Sequence, residues 1–553
     1  MKRAIFFFHL FLYSTAFCGW NPTFTTITSN TSDFYYNAPY LALNHSGYTV
    51  SVWSYFDNTL GTTSTQAAIS NDFGGAWSLP TIIDPLFPTS GTININRPRV
   101  VVDSANRAII IWQRHTGGLH EVKVTPYGAT PQMITTLDNN TGVEVPRPEI
   151  AMDESGHAVA VWGNGTTPNV YVMSRRSSDY GTNWLPVINI DSPNPSADKN
   201  FPHVAMDQSG NVIAVWTIFT GGFHYTKVAT SSDYGASWNP AITLDPANPS
   251  ATFTHPRVVM DDNGHALIIW FFADGAGDNF TRVASSSDYG GNWGNLVTLN
   301  TVAGQEETYP KIDMDSSGHA VAVWVNPVSG TSYAIQTAHS SDFGVSWSPP
   351  FTIDPALTTE FTYPEVSIDN FGHAIIVWNV HDTLLSSWEI KRSNSFDYGS
   401  TWINGLLDSG VETDGNHEIP RPRIFMDKTS SKNAVRGLAI WPDVKTAITS
   451  AWIKMNQFYE IFQIASGVKE KAKGFLQIDL RNNITIEATG EPGTFSLYKD
   501  PGLTQLVDSV TNDGRETNLF EHHVKQGETY TYYVTFTDVF NQLFGPKLVV
   551  VSD

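Results

Sequence analysis

An all-β fold of repeated four-stranded units set around a ring is what this 553-residue sequence predicts, and three observations carry that expectation. A hairpin motif ending in tryptophan occurs eight times. A second motif, a polar turn centred on aspartate, alternates with it at a period near 54 residues. The composition also suits strands: 12% of residues are aromatic, 17 of them Trp, and only 15% are charged. About four short strands per period describe a β-propeller blade, and a chain of this length is compatible with one such fold because every repeat shares its core with its neighbours.

The first motif reads Pro-x-apolar-x-apolar-Asp-x-x-Gly-His-Ala-apolar-x-apolar-Trp and is clearest from Pro148 to Trp162 and from Pro310 to Trp324. Its prolines are Pro39, Pro98, Pro148, Pro202, Pro256, Pro310, Pro364 and Pro422. Proline is tolerated at a strand's first residue, apolar alternation marks two strands, and Asp-x-x-Gly supplies the turn between them. Each copy is therefore a hairpin.

The second motif, Ser-x-Asp-aromatic-Gly-x-x-Trp, has six good copies, with aspartates Asp72, Asp179, Asp233, Asp288, Asp342 and Asp397. The last five stand 54 or 55 residues apart, and the 107-residue gap from Asp72 to Asp179 spans a decayed copy near Thr125 to Gly128. A short carboxylate can accept hydrogen bonds from the turn's own amides, glycine permits the bend, and tryptophan fills the space beneath it. The motif resembles the Asp-box of the sialidase and BNR-repeat superfamily, over roughly residues 20–455. That resemblance implies that the box forms the turn between the third and fourth strands of a propeller blade.

The two ends of the array complete each other. Trp20-Asn21-Pro22 and the Thr-rich stretch 23–28 copy the residues that come after a box, whereas Pro422 to Lys454 holds a hairpin and a third strand but no box. The expectation is eight blades, the last closed by the N-terminal strand, with seven as the alternative; closure would hide the open edges. After about residue 456 both motifs end, and residues 456–553 resemble a fibronectin type III or Ig-like β-sandwich, with strand-like runs at Asn483–Ala488, Thr494–Tyr498, Thr529–Thr537 and Lys547–Val551. Residues 1–18 read as a signal peptide: Lys2 and Arg3, an apolar run, then small residues. The expected location is secreted or at the cell envelope, and no segment of the mature chain reads as a transmembrane span. The one cysteine, Cys18, would be lipidated if cleavage fell before it, and leaves the mature chain without a disulfide.

A net charge of −21 argues against a nucleic-acid partner, which needs clustered Lys and Arg. Positions constant across the repeats are explained by turns and packing, so function is expected where the copies differ. In a propeller the first strand of each blade lines the central channel, which puts the residues flanking the motif prolines around its mouth. Before the prolines stand Ala38, Arg97, Arg147, Phe201, His255, Tyr309, Tyr363 and Arg421; after them stand Tyr40, Arg99, Glu149, His203, Arg257, Lys311, Glu365 and Arg423. Arginine forks match carboxylates and aromatic faces match apolar sugar faces. The candidate ligand-binding residues are thus Arg97, Arg99, Arg147, Glu149, His203, Arg257, Lys311, Glu365, Arg421 and Arg423, and the expected partner is a glycan or a protein.

The family resemblance implies, for an active sialidase, three arginines on a carboxylate, a tyrosine nucleophile with a glutamate, and an aspartate acid. Here the first copy, Tyr36-Asn37-Ala38-Pro39, lacks the arginine, and Glu418-Ile419-Pro420 has glutamate in its place. A sialidase-like site would draw on Arg97, Arg147, Arg257, Arg421, Tyr309, Tyr363, Glu149 and Glu365. The Gly-His residues His157, His265, His319 and His373 fall on separate blades, too far apart to share a metal, and neither they nor the turn aspartates imply a metal or cofactor. A secreted binding or adhesion propeller is the leading expectation, with a sialidase-like glycosidase and a ligand-free structural envelope protein as alternatives.

Overall fold

The computed structural model describes the strands of residues 19–551 and the tight turns within the blades. Residues 1–18, including Cys18 and the expected signal peptide, lie outside the described residues, as do most segments joining one blade to the next. Among the described residues there is no helix, and so none long and apolar enough to cross a membrane.

Residues 20–459 form one compact unit, an all-β propeller. Seven blades are each built from four consecutive antiparallel strands, with innermost strands Phe34–Leu43, Arg99–Val102, Glu149–Met152, His203–Met206, Arg257–Met260, Lys311–Met314 and Glu365–Ile368. Eight blades are expected from the sequence, with seven as the alternative, and seven is the number of four-stranded blades; the chain ends are arranged differently. There the strands Arg423–Met426, Ala434–Lys445 and Ser450–Ile461 join Gly19–Trp20 and Thr25–Asn30 in one five-stranded sheet. The reason is visible in the sequence: after Trp441 no Asp-box turn occurs to send the chain into a fourth strand of its own. Thr25–Asn30 instead pairs antiparallel with Ser450–Ile461, Ser29 opposite Trp452.

Alternation within the second strand of each blade sends side chains to both neighbouring blades, so core clusters straddle the blade boundaries. Val161 and Val172 of the third blade pack with Val204 and Trp216 of the fourth, for example. All eight motif tryptophans are at most 1% exposed. Such burial is worth roughly 2–3 kcal/mol per large side chain, which is why the tryptophan survives in every copy.

The turns explain the remaining constants. In all six Asp-boxes the serine hydroxyl donates to the aspartate at 2.7–2.8 Å and accepts from the box glycine amide at 2.8–3.0 Å. Partial burial opposes ionisation of these aspartates, but hydrogen bonds from the turn's own amides and hydroxyls outweigh it and hold all six carboxyls below the ordinary range. The box aromatic donates its amide to the Asp-x-x-Gly turn of the same blade, as Tyr180 does to Gly156 at 2.9 Å. Gly156 has φ +89°, and a Cβ there would meet the Tyr180 ring at 2.4 Å, so only glycine fits. The Gly-His histidines are structural too. His157, His265 and His319 each bond their turn aspartate at 2.8 Å through Nδ1 and stack on the box aromatic of the next blade, with ring centroids 3.6–3.9 Å apart.

The second unit contains Glu460–Asp553. Its described strands form a three-stranded and a four-stranded antiparallel sheet, the latter in the order Leu506–Asn512, Gly493–Tyr498, Tyr530–Asp538, Leu543–Val551.

Candidate functional site at the channel mouth

The residue before the motif proline is held in a costly backbone conformation. Ala38, Arg97, Arg147, Phe201, His255 and Tyr309 all have φ between 42° and 50°. This left-handed region costs a non-glycine residue about 1–2 kcal/mol, and glycine would relieve it, yet none of the eight pre-proline residues is glycine. The surroundings over-determine the pose. On one side stands the proline ring; on the other, the carbonyl one residue earlier accepts from the second strand of the same blade, at Asn96 (from Gln113, 2.9 Å), Pro146 (from Gly163, 2.9 Å) and Thr254 (from Phe271, 2.8 Å). Strain maintained at equivalent positions in successive blades aims these side chains at one another across the mouth.

They divide into two arcs. Phe201, His255, Tyr309 and Tyr363 come from four consecutive blades and touch in sequence, with centroid separations of 4.2, 5.5 and 4.9 Å. Arginines flank this aromatic arc: the Arg147 guanidinium lies 3.9 Å from the Phe201 centroid and that of Arg421 lies 4.0 Å from Tyr363. Arg421 also donates to the Tyr363 hydroxyl at 3.3 Å. The other arc consists of Arg421, Ala38, Arg97 and Arg147 in blade order, three arginines around the smallest residue of the ring. Phe201 and His255 belong to the surface as fully as the predicted tyrosines. Their identical offset from the motif proline was the signal for them.

Two residues further along each inner strand lies a second, charged ring. Arg99 binds Glu149 through Nε at 3.0 Å to both carboxylate oxygens and sits 4.8 Å from the Tyr40 ring. Lys311 and Arg423 both bind Glu365. His203 accepts through Nδ1 from the Val258 amide at 3.4 Å. Arg257 donates to the carbonyl of its own Pro256 at 3.3 Å, as Arg99 does to Pro98 at 3.0 Å. The side chains of Arg99, Glu149, Lys311, Glu365 and Arg423 are only 12–19% exposed.

Electrostatics in this ring act across the channel. Burial alone would raise the Glu365 carboxyl, but the charges of Arg423 and Lys311 overcome it and bring it down to about 2. Burial lowers the Lys311 ammonium to about 7; Glu365 opposes the shift, and Arg423 and Arg257 add to it. His203 is driven well below its ordinary value by burial and by Arg257, Arg99 and Lys311, so it is neutral at neutral pH. Influences from blades two and three positions away mark a narrow, poorly screened ring. Among the described residues no group of His, Cys, Asp and Glu is arranged to hold a metal ion.

The residues offered for a sialidase-like site fall into different places. Arg97, Arg147 and Arg421 share the arginine arc of the mouth, whereas Arg257 belongs to the charged ring. Glu149 is taken up by Arg99 and Glu365 by Lys311 and Arg423, while the Tyr363 hydroxyl accepts from Arg421. No family model and no curated protein matches the sequence. Solved structures do show similarity. A lectin from Burkholderia pseudomallei is 12% identical with a TM-score of 0.45, covering 68% of this chain and 99% of its own. An ulvan lyase, from a new family of polysaccharide lyases, is 10% identical with a TM-score of 0.44, covering 78% and 95%. A Hadza microbial sialidase is 15% identical with a TM-score of 0.35, covering 61% and 74%. Similarity at this level transfers no activity to this chain.

One repeated feature escapes the two motifs. Asp84, Asp138, Asp191, Asp245, Asp354 and Asp408, with Asn300 in the place between Asp245 and Asp354, recur 53–55 residues apart in the outer strands or just after them. Four of them accept from the motif tryptophan of the following sheet: Trp112 to Asp84 at 2.9 Å, Trp162 to Asp138 at 2.5 Å, Trp378 to Asp354 at 3.1 Å and Trp441 to Asp408 at 2.8 Å. They are structural, and the period shared with the box was the signal for them.

Proposed function

We propose that this protein recognises a glycan at the channel mouth of its propeller. The observation that carries the reading is the unbroken arc Arg147–Phe201–His255–Tyr309–Tyr363–Arg421, in which each side chain touches the next. Aromatic faces displayed at a concave mouth suit the apolar faces of sugar rings, and the arginine arc suits hydroxyl or acidic substituents. The strained pre-proline backbone supports a selected display rather than an incidental rim. In this reading the five-stranded sheet serves as an eighth blade closed by the N-terminal strand, the second unit is a fibronectin type III or Ig-like spacer, and the protein acts after export, at the cell surface or beyond it.

Glycan-array binding by the full chain, followed by calorimetry on the best ligand, tests the proposal. Tyr309→Ala and Tyr363→Ala are each expected to weaken binding about tenfold or more, the loss typical of a central aromatic anchor. Absence of binding to every glycan, or binding indifferent to both substitutions, would overturn it. Sialidase-like hydrolysis is the second reading, favoured by the three arginines of the mouth ring, one of which, Arg421, donates to the Tyr363 hydroxyl. Release of fluorophore from a sialoside, lost on Arg147→Ala, would establish turnover in place of binding alone.

A further inference from the structure

The charged ring carries an imbalance that the mouth residues do not explain. Its four cations, Arg99, Arg257, Lys311 and Arg423, face two carboxylates, Glu149 and Glu365, while His203 is neutral. The next acidic side chain inward, Asp313, is already bound by Lys428 at 2.6 Å and by the Ser367 hydroxyl at 3.2 Å, so it neutralises nothing in the ring. Among the described residues no carboxylate pairs with Arg257, whose one hydrogen bond goes to the Pro256 carbonyl. With Lys311 in its ammonium form, the ring thus holds two more positive than negative charges, in a protein whose net charge is −21. Charge removed from bulk water demands a partner, because the lost hydration of a guanidinium is not replaced by a single backbone carbonyl. Burial is the main downward pull on Lys311, and the charges of Arg423 and Arg257 add to it.

We propose that the charged ring binds a doubly charged oxyanion, inorganic sulfate or a phosphate, the latter free or as the monoester of a larger molecule, between Arg257 and Lys311. The dianion matches the excess charge. Its oxygens would take the guanidinium N–H groups of Arg257 that the carbonyl leaves over, and Lys311, already shared with Glu365, would supply a point charge. This site lies two residues beyond the mouth ring on each strand and does not depend on the glycan reading.

Calorimetric titration of the full chain with sodium sulfate, against sodium chloride at matched ionic strength, tests the site. Saturable binding in the millimolar range or tighter is expected. Sulfate stabilises proteins generally by exclusion from their surfaces, so the melting temperature should show a saturable rise superimposed on that linear effect. Arg257→Gln should weaken sulfate about tenfold or more, as loss of a charge-assisted hydrogen bond requires, and Arg257→Lys should weaken it less. Tyr309→Ala should leave it unchanged. Methyl phosphate, a monoester that carries two charges at about pH 8, separates the two sources: binding as tight as inorganic phosphate's indicates an ester end, and weaker binding a free dianion. If the wild-type protein gives no heat with sulfate, phosphate or methyl phosphate, or if Arg257→Gln folds and binds sulfate equally well, the proposal is overturned.

Discussion

The indole nitrogen of Trp112 donates to the Asp84 carboxylate of the preceding blade at 2.9 Å, with both side chains at most 1% exposed. This bond joins two blades across a boundary also held by apolar packing, by the Arg114–Asp84 ion pair and by the side-chain hydrogen bonds of Asn44 and Asn96. Burial raises the Asp84 carboxyl, and the Trp112 bond with the nearby charge of Arg114 offsets part of that cost.

Asp84→Ala should therefore destabilise the propeller by about 2–4 kcal/mol, since it leaves a buried indole N–H without its acceptor and takes from Arg114 one of its two carboxylates, Glu121 remaining. Urea unfolding followed by tryptophan fluorescence measures this. A midpoint equal to the wild type's would mean that the bond adds nothing to the apolar contact between the blades.

Ile27 of the N-terminal strand is 6% exposed and packs with Leu41, Trp53, Leu438 and Ile440, residues from both ends of the blade array. Ile27→Ala should cost about 2–4 kcal/mol and lower the melting temperature of the whole propeller cooperatively. A separate early transition with the main one unmoved would show that the N-terminal strand does not close the ring.

Asp191 belongs to the same series as Asp84 but is poorly compensated. Burial pushes its carboxyl up to about 7, against the pull of Lys227 and the Trp216 indole. A raised carboxyl binds its proton more tightly in the folded state than in the unfolded one. Its contribution to stability is present at low pH and is lost as pH rises from about 4 to about 7. Asp191→Asn should accordingly gain on the wild type across that window, levelling off above pH 7 at a difference on the order of 4 kcal/mol. Parallel melting curves of the two proteins at every pH would contradict the assignment.

The fold was legible because its determinants are local and repeated. Six boxes in register and eight buried tryptophans each fix a turn or a core position within one period. What escaped was relational. The Asp84 series has only an apolar neighbour to mark it in sequence, and its meaning appears when the next blade brings a tryptophan to it. The same holds for the mouth: spacing placed Phe201 and His255 on the ring, but only the closed propeller brings them into contact with each other and with Arg147. Likewise the partition of Glu149 to Arg99, and of Glu365 to Lys311 and Arg423, depends on how far each side chain reaches across a blade boundary.

The left-handed pose before six of the motif prolines is held beside the proline ring and, at Arg97, Arg147 and His255, by a backbone hydrogen bond to the preceding carbonyl, none of which makes reference to the side chain displayed there. The mouth consequently works as a row of interchangeable sockets. Arginine, phenylalanine, histidine, tyrosine and alanine all occupy that pose in this one chain. A single exchange at such a socket would rewrite what the surface recognises while every blade keeps its fold, so specificity can drift without a toll on stability.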